Sequence, residues 1–475
     1  MSNYQLVIGI EIHAELNTNS KLFCNCRNQF GAEPNTLVCP VCMGLPGTLP
    51  IINRQAFLDA IKVGLLFDCE MTDVAIFERK NYFYPDLPKS YQISQFNAPI
   101  CRGGGITLDS GKFIRFNRIH LEEDSGKLVH DYESNRTLVD FNRCGIPLVE
   151  MVTEPEFHTS EEVVEFIDKL RKALVFEGVS HCRMQEGGMR FDVNMSVSRL
   201  GSKKLGTRVE LKNLNSFKAV SLAIESEKNR QIAIFESGGV VAQETRGWNE
   251  ESGETYLMRV KESSIDYRYF PDPDIPQVKI TKTLINKLRK QMKESYSDKK
   301  HRFIHYGLSE NDCQILLSDL LIAEYYDGVV KLTNQPKECA NWIISEVLHY
   351  FRDGYNNPYN IISCENLAEI INLLTMNKLT RTSAKVLFAS VVETGKTTKS
   401  CLKELGLNNS VDFADVVAII ETEINNRFTI VDDYIANPND IENYIIGIVN
   451  NQTNGRVSIE DIKSLLREVI DKSLL

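Results

Sequence analysis

The stretch Val7 to Leu16 (Val-Ile-Gly-Ile-Glu-Ile-His-Ala-Glu-Leu) limits the fold of this chain more than any other. Ile8, Ile10, Ile12, Ala14 and Leu16 recur on one side with period two, and Glu11, His13 and Glu15 on the other. That is a strand with one buried face and one polar face, and its β-branched residues favour strand over helix. Polar side chains two residues apart project in parallel about 7 Å from each other. Two carboxylates and an imidazole so arranged suit a divalent cation or acid/base chemistry. The plainer reading is the solvated outer face of a sheet.

At 475 residues the chain exceeds a single core, so two to four domains are expected. Its 22 Phe and 17 Tyr argue against disorder. No apolar run reaches membrane-spanning length, and the acidic N-terminal strand does not read as a secretory signal. Twelve cysteines in such a chain point to a reducing, cytoplasmic setting with free thiols or metal ligands. The net charge of −10 gives no global nucleic-acid signature, so local charge decides.

Cys24-Asn25-Cys26 and Cys39-Pro40-Val41-Cys42, followed by Gly44, form two close thiol pairs able to close a tetrahedral zinc site. With four sulfurs the site has no open position, so it would be structural. The alternative is four unrelated buried cysteines. Residues 53–66 read as a core helix capped by Asn53, and 160–177 as an amphipathic helix capped by Ser160. The aromatic loop 77–95 carries Arg79, Lys80 and Lys89 beside Tyr82, Tyr84 and Tyr91. It can hold phosphate and stack a base, or simply pack.

Further strands repeat the two-faced pattern. Residues 112–121 alternate into Arg118-Ile119-His120-Leu121-Glu122-Glu123. Alternation puts Glu122 with His120 and Arg118 and Glu123 opposite, although the strand end leaves the ligand choice open. Residues 139–150 read as strand–turn–strand and close on Glu150. Asp192, Asn194 and Ser196 share one side of the next strand, and Arg208, Glu210 and Lys212 one side of another. A loop from Gly201 to Gly206 with Lys203 and Lys204 joins these two. Acids gathered on one sheet face repel unless a cation compensates them, and Mg²⁺ bridging to phosphate is one solution. Periodicity alone leaves open whether these faces coincide.

After the proline-punctuated segment 267–276, residues 279–302 carry nine cations against Glu294 and Asp298. This is either a nucleic-acid contact or a solvated helix face. From about 303 the chain reads as helical, with a capping box at Ser309 and Asp312. The last module, from 405, holds five cations against twelve acids, which makes it a poor nucleic-acid binder on its own.

The stretches GIEIHAELNTNSKLFC, FGAEPNTLVCPVCMGLPGTLP, ERKNYFYPDLPKSYQISQ, RIHLEEDSGK, VDFNRCGIPLVEMVTEP, GTRVELKNLNSF and DYRYFPDPD run in order from residue 7 to 274. Together they resemble the B-subunit of the tRNA-dependent amidotransferase that acts on Glu-tRNA(Gln) and Asp-tRNA(Asn). The resemblance implies an α+β fold: a catalytic domain over 1–295 on a mostly antiparallel sheet, a helical domain over 296–404, and a tRNA-binding helical tail over 405–475. It implies phosphorylation of the misacylated side-chain carboxylate by ATP with Mg²⁺. Amidation then uses ammonia from a partner amidase/glutaminase, the A-subunit, in a heterotrimer with a small C-subunit. The resemblance carries the Mg²⁺ and catalytic roles to Glu11, His13, Glu123, Glu150, Asp192 and Glu210. It also implies structural Zn²⁺ at Cys24, Cys26, Cys39 and Cys42, while the composition of the aromatic loop makes Arg79, Lys80 and Tyr82 the expected nucleotide contacts. Ser90 departs from the family's usual glycine, and Asn450, Asn451 and Asn454 stand where relatives tend to carry lysine, which shifts the expected tRNA contact toward 279–302. Two other readings are a different ATP-dependent carboxylate–amine ligase and a zinc-stabilised RNA-binding scaffold without catalysis.

Overall fold

The computed structural model describes residues 3–131, 135–202, 204–260, 266–353, 357–407, 413–427, 429–453 and 455–473. Lys203 and Asn454 lie outside them. The chain forms two compact units, Met1–Tyr296 and Ser297–Leu475. The first is built on a mixed sheet and the second is helical, an α+β architecture. No helix among the described residues is long and apolar enough to cross a membrane.

The first unit is organised by a ten-stranded sheet. Its principal strands are β1 (Tyr4–Glu15), β2 (Phe113–Glu123), β3 (Pro147–Thr153), β4 (Met189–Arg199), β5 (Val209–Leu214), β6 (Glu244–Asn249) and β7 (Glu254–Val260). They lie in the order β7-β6-β5-β4-β1-β3-β2, and short strands continue the sheet past β2. Neighbours pair antiparallel, except that β5 and β6 run parallel, joined across the helix Phe217–Glu236.

The apolar side of β1 is the centre of the core: Ile8, Ile10, Ile12, Ala14 and Leu16 are buried. Helices α1 (Arg54–Leu66), α2 (Ser160–Glu177) and α3 (Phe217–Glu236) cover that side with Phe57, Ile61, Phe166, Ile167, Leu170, Val220 and Ile224. Phe166 packs edge-on against Phe157, with centroids 5.1 Å apart. Asn53 caps α1 through the amides of Gln55 and Ala56, as the sequence predicts. Helix α2 is capped by Thr159, not Ser160. The Thr159 hydroxyl accepts from the Glu162 amide, and Ser160 is the first helical residue, buried and bonded to Glu225.

A separate small sheet holds the aromatic loop. Strand Glu78–Asn81 pairs with Tyr91–Ser94 on one side and with Phe270–Pro271 on the other, so segment 267–276 returns to the loop. Ser90 sits at φ +64°, the left-handed region that favours glycine.

In the second unit the expected capping box is present: the Ser309 hydroxyl accepts from the Asp312 amide, and the Asp312 carboxylate accepts from the Ser309 amide. The helices from Phe413 to Ser473 surround their own apolar cluster, including Val416, Ile420, Ile445, Val449, Ile462 and Leu466.

Candidate functional site

Strand register decides which acids meet. His13 lies opposite Glu150 on β3 and Arg190 on β4, and Glu11 opposite Asp192. His120 on β2 lies opposite Glu150, and Glu210 on β5 opposite Asn194. Residues directly across a pair share a face, so the polar sides of five strands become one surface.

At its centre His13 Nε2 is 3.3 Å from Glu122 Oε1, 3.4 Å from Glu150 Oε2 and 3.8 Å from Glu11 Oε1. His120 Nε2 is 3.3 Å from Glu150 Oε2 and 3.7 Å from Glu122 Oε2. Glu122, Glu150 and His120 are 2%, 4% and 3% exposed, so charge here must be compensated from within. Burial pulls the His13 imidazole toward neutrality, but hydrogen bonds to Glu122 and Glu150 lift its pKa well above the ordinary value. His120 is carried to about 9 against the same burial, chiefly by Glu150. Burial also opposes charge on Glu150, yet His120 and His13 hold its carboxyl well below the usual range. Glu11 is pushed up to about 7 by burial and then by Glu150. With no cation bound, protons on the imidazoles balance the buried carboxylates; a divalent cation would displace them and take over that balance.

Asp192 and Glu210 form a second group. The Lys212 ammonium lies against Asp192 and 3.3 Å from Glu210, and the Thr245 hydroxyl donates to Glu210 Oε2 at 2.8 Å. Two clefts open on the surface, of about 370 Å³ and about 280 Å³. Glu11, Lys80 and Lys212 line both; His13, Tyr82, Glu122, Asp192 and Arg190 line the first, and His120, Glu150 and Glu210 the second.

Of the residues nominated from sequence, Glu11, His13, Glu150, Asp192, Glu210, Lys80 and Tyr82 are brought together. Glu123 and Arg79 are not. Glu123 turns to the other side of β2, where its carboxylate meets the Lys89 ammonium and accepts from the Ile93 amide at 2.9 Å. Strand alternation continues through the end of β2, so Glu122 takes the place in the group that the resemblance implies for Glu123. Arg79 is spent on Asp272 at 2.7 Å and Asp274 at 3.1 Å, and its guanidinium lies 4.3 Å over the Tyr91 ring. Lys80, next along that strand, points the opposite way, 4.9 Å from the Tyr267 ring centroid. Burial works against its charge, but Glu122 keeps the ammonium protonated above its ordinary pKa. Beyond the nominated residues, His120, Lys212 and Arg190 also line the clefts; each stands on a polar strand side in the sequence, Arg190 two residues before Asp192. Tyr267 carried no periodic signal.

The carboxylate oxygens and imidazole nitrogens fit a divalent cation. Two overlapping sets, Glu11/His13/Glu150 and His120/Glu122/Glu150, each place their donor atoms within 4.8 Å of one another. The sulfurs of Cys24, Cys26, Cys39 and Cys42 likewise lie within 4.8 Å of one another, so this cluster can hold a metal ion. The Cys39 amide donates to Cys42 Sγ at 3.1 Å, and the buried Lys21 Nζ lies 3.8 Å from that sulfur. The Cys24 thiol, then the Cys39 amide and Lys21, draw the Cys42 thiol down to about 5 against its burial. At Gly44, φ +67°, a Cβ would lie 2.5 Å from Lys89 Cγ, so the knuckle presses directly on the Lys89 segment.

The family profile described as the GatB/GatE catalytic domain matches residues 6–286, and one described as the GatB domain matches 324–470. The B-subunit of the aspartyl/glutamyl-tRNA(Asn/Gln) amidotransferase of Caldicellulosiruptor saccharolyticus is 44% identical over 477 residues, covering 99% of both chains. One of Clostridium acetobutylicum, the second so named there, is 41% identical over 99% of this chain and 100% of its own. That of Carboxydothermus hydrogenoformans is 40% identical at the same coverage. With two profiles in register along the chain and full-length relatives of this identity, the chain belongs to the B-subunit family of the aspartyl/glutamyl-tRNA(Asn/Gln) amidotransferases.

Proposed function

We propose that this chain converts the side-chain carboxylate of misacylated Glu-tRNA(Gln), Asp-tRNA(Asn) or both into the amide, in two steps: phosphorylation by ATP, then displacement of phosphate by ammonia. A carboxylate is a poor electrophile because its leaving group would be oxide; the acyl phosphate provides a leaving group. The carrying observation is the convergence of Glu11, His13, Glu122 and Glu150, with Asp192 and Glu210 beside them, on one sheet face under two clefts. A surface made only to bind RNA has no use for this many acids at its centre, which disfavours a non-catalytic scaffold.

We assign Glu11, His13, Glu122 and Glu150 as holders of Mg²⁺, with Asp192 and Glu210 as the second acidic pair. Bound there, Mg²⁺ supplies neutralisation of phosphate oxygens during transfer. Lys80, steadied over the Tyr267 ring, and Lys212, held between Asp192 and Glu210, offer ammoniums to an anionic group entering the cleft. The sequence carries no Ser-Ser-Gly-rich amidase core and no cysteine glutaminase setting. Ammonia therefore comes from a partner amidase, the A-subunit, with a small C-subunit completing a cytoplasmic heterotrimer. The cysteine knuckle holds structural Zn²⁺. We take 1–295 as the catalytic domain, and 296–404 and 405–475 as a helical domain and a tail that engages tRNA.

The test is the co-expressed complex supplied with ATP, Mg²⁺, glutamine or ammonia, and each misacylated tRNA in turn. Amide formation dependent on ATP is expected with at least one. Unchanged misacylated tRNA in the presence of the partner defeats the reading. Asp192→Asn should abolish ATP-dependent phosphorylation while tRNA binding persists; equal loss of both would mark a folding defect.

A further inference from the structure

From Lys279 to Lys293 the chain carries six cations and no acid, within a protein of net charge −10. The structure forms helix α4 (Lys282–Gln291) there, capped by Thr281, whose hydroxyl accepts from the Leu284 amide. Leu288 is buried, and Leu284 and Ile285 pack against the core of the first unit. The 3.6-residue period puts Lys282, Asn286 and Lys290 in one row away from that seam, with Lys287 and Arg289 flanking it. All five are exposed. Lys282, Lys287, Arg289 and Lys290 form no ion pair among the described residues. Lys112 and Lys169 of this unit, by contrast, are paired with Glu162 at 2.8 Å and Asp109 at 2.6 Å.

Stability does not account for this row. The helix dipole welcomes Arg289 and Lys290 in the last turn, but it opposes Lys282 in the first, and like charges three or four residues apart repel. The second part of the basic run behaves differently: Lys299 and Arg302 both bond to Asp327, at 2.5 Å and 2.8 Å. Within the basic run, the unpaired charge thus gathers on one helix, spanning about 12 Å from Lys282 to Lys290 at 1.5 Å per residue.

We propose that the basic face of α4 binds the phosphate backbone of the RNA substrate, an inference that rests on the transamidation reading above. An anionic membrane is disfavoured because the helix's apolar residues are committed to the core. The outward face offers Thr283, Asn286 and Gln291 rather than an apolar anchor. Backbone contact of this kind is sequence-independent and releases counterions, so its signature is salt dependence.

The experiment measures binding of uncharged tRNA by the complex across a salt series, for wild type and for K282Q/K287Q/K290Q. Glutamine retains helix propensity, and unchanged circular dichroism and melting check the fold. A K282R/K287R/K290R variant keeps the charge and should keep wild-type binding. The glutamine variant should bind more weakly and lose about 2–3 from the slope of log affinity against log salt. Unaltered slope and affinity would overturn the proposal. So would loss of the partner amidase from the glutamine variant, which would make the face a protein interface, or wild-type binding to phosphatidylserine vesicles as tight as to tRNA. If wild type amidates tRNA while the slope is unmoved, this inference fails alone; if wild type does not amidate, the transamidation reading fails instead.

Discussion

Neighbouring acids on β2 have opposite environments and should fail in opposite ways. Glu122 sits between two imidazoles, so Glu122→Gln should weaken divalent-cation affinity at least ~10-fold by isothermal titration, on the scale seen when groups around a metal are lost. Glu123 neutralises Lys89 where both side chains are nearly buried, at 3% and 7% exposure. Glu123→Gln strands that ammonium and should lower stability by about 3 kcal/mol in urea denaturation with cation affinity intact. Alternation in the sequence already distinguished the two; a motif-level likeness did not, because it carries no information on which side of a strand a residue faces. Ser90 offers a gain. At φ +64° a β-carbon is strained, and Ser90→Gly should raise stability by about 1 kcal/mol, read as a shifted denaturation midpoint.

Among elements, period-two strands and capped helices were readable because their signals are local. Asn53 and the Ser309 box formed as expected, and the slip at Thr159 is one residue, between two hydroxyls of similar capping ability. Long-range pairings were not readable. Nothing near Arg79 announces that Asp272, 193 residues later, will take it out of the cleft. The tie between β2 and β4 is also of this kind: Arg190 and Arg143 both bond to Asp124. Burial raises the cost of charge on Asp124, yet Arg190 and Arg143 hold its pKa below the usual value. Its stabilisation is therefore complete above the unfolded-state pKa of about 3.9 and disappears as pH falls through the lower folded value. The stability gap between wild type and Asp124→Asn should be constant from about pH 5 to 7 and close on acidification below about pH 4. The cysteine knuckle predicts a removable staple: Cys39→Ser/Cys42→Ser should eliminate bound zinc by elemental analysis. It should also lower the melting temperature of the first unit, by about 2–4 °C per kcal/mol lost.

Taken whole, the molecule is two compact units, and the candidate site and cysteine knuckle both belong to the first. Calorimetry should resolve two transitions, of which Mg²⁺ and Zn²⁺ raise only the one belonging to Met1–Tyr296, because a ligand stabilises only what binds it. The centre of that unit is β1, near the start of the chain, yet one of its two flanking neighbours is β4: Gln5 bonds to Ser198, 193 residues away. A ribosome adding about 5–20 residues each second needs some ~10–40 s to supply that partner after β1 emerges. Until then β1, with its apolar row from Ile8 to Leu16, lacks its partner on that edge. Slowing translation upstream of residue 189 should lengthen that exposure and lower the soluble yield.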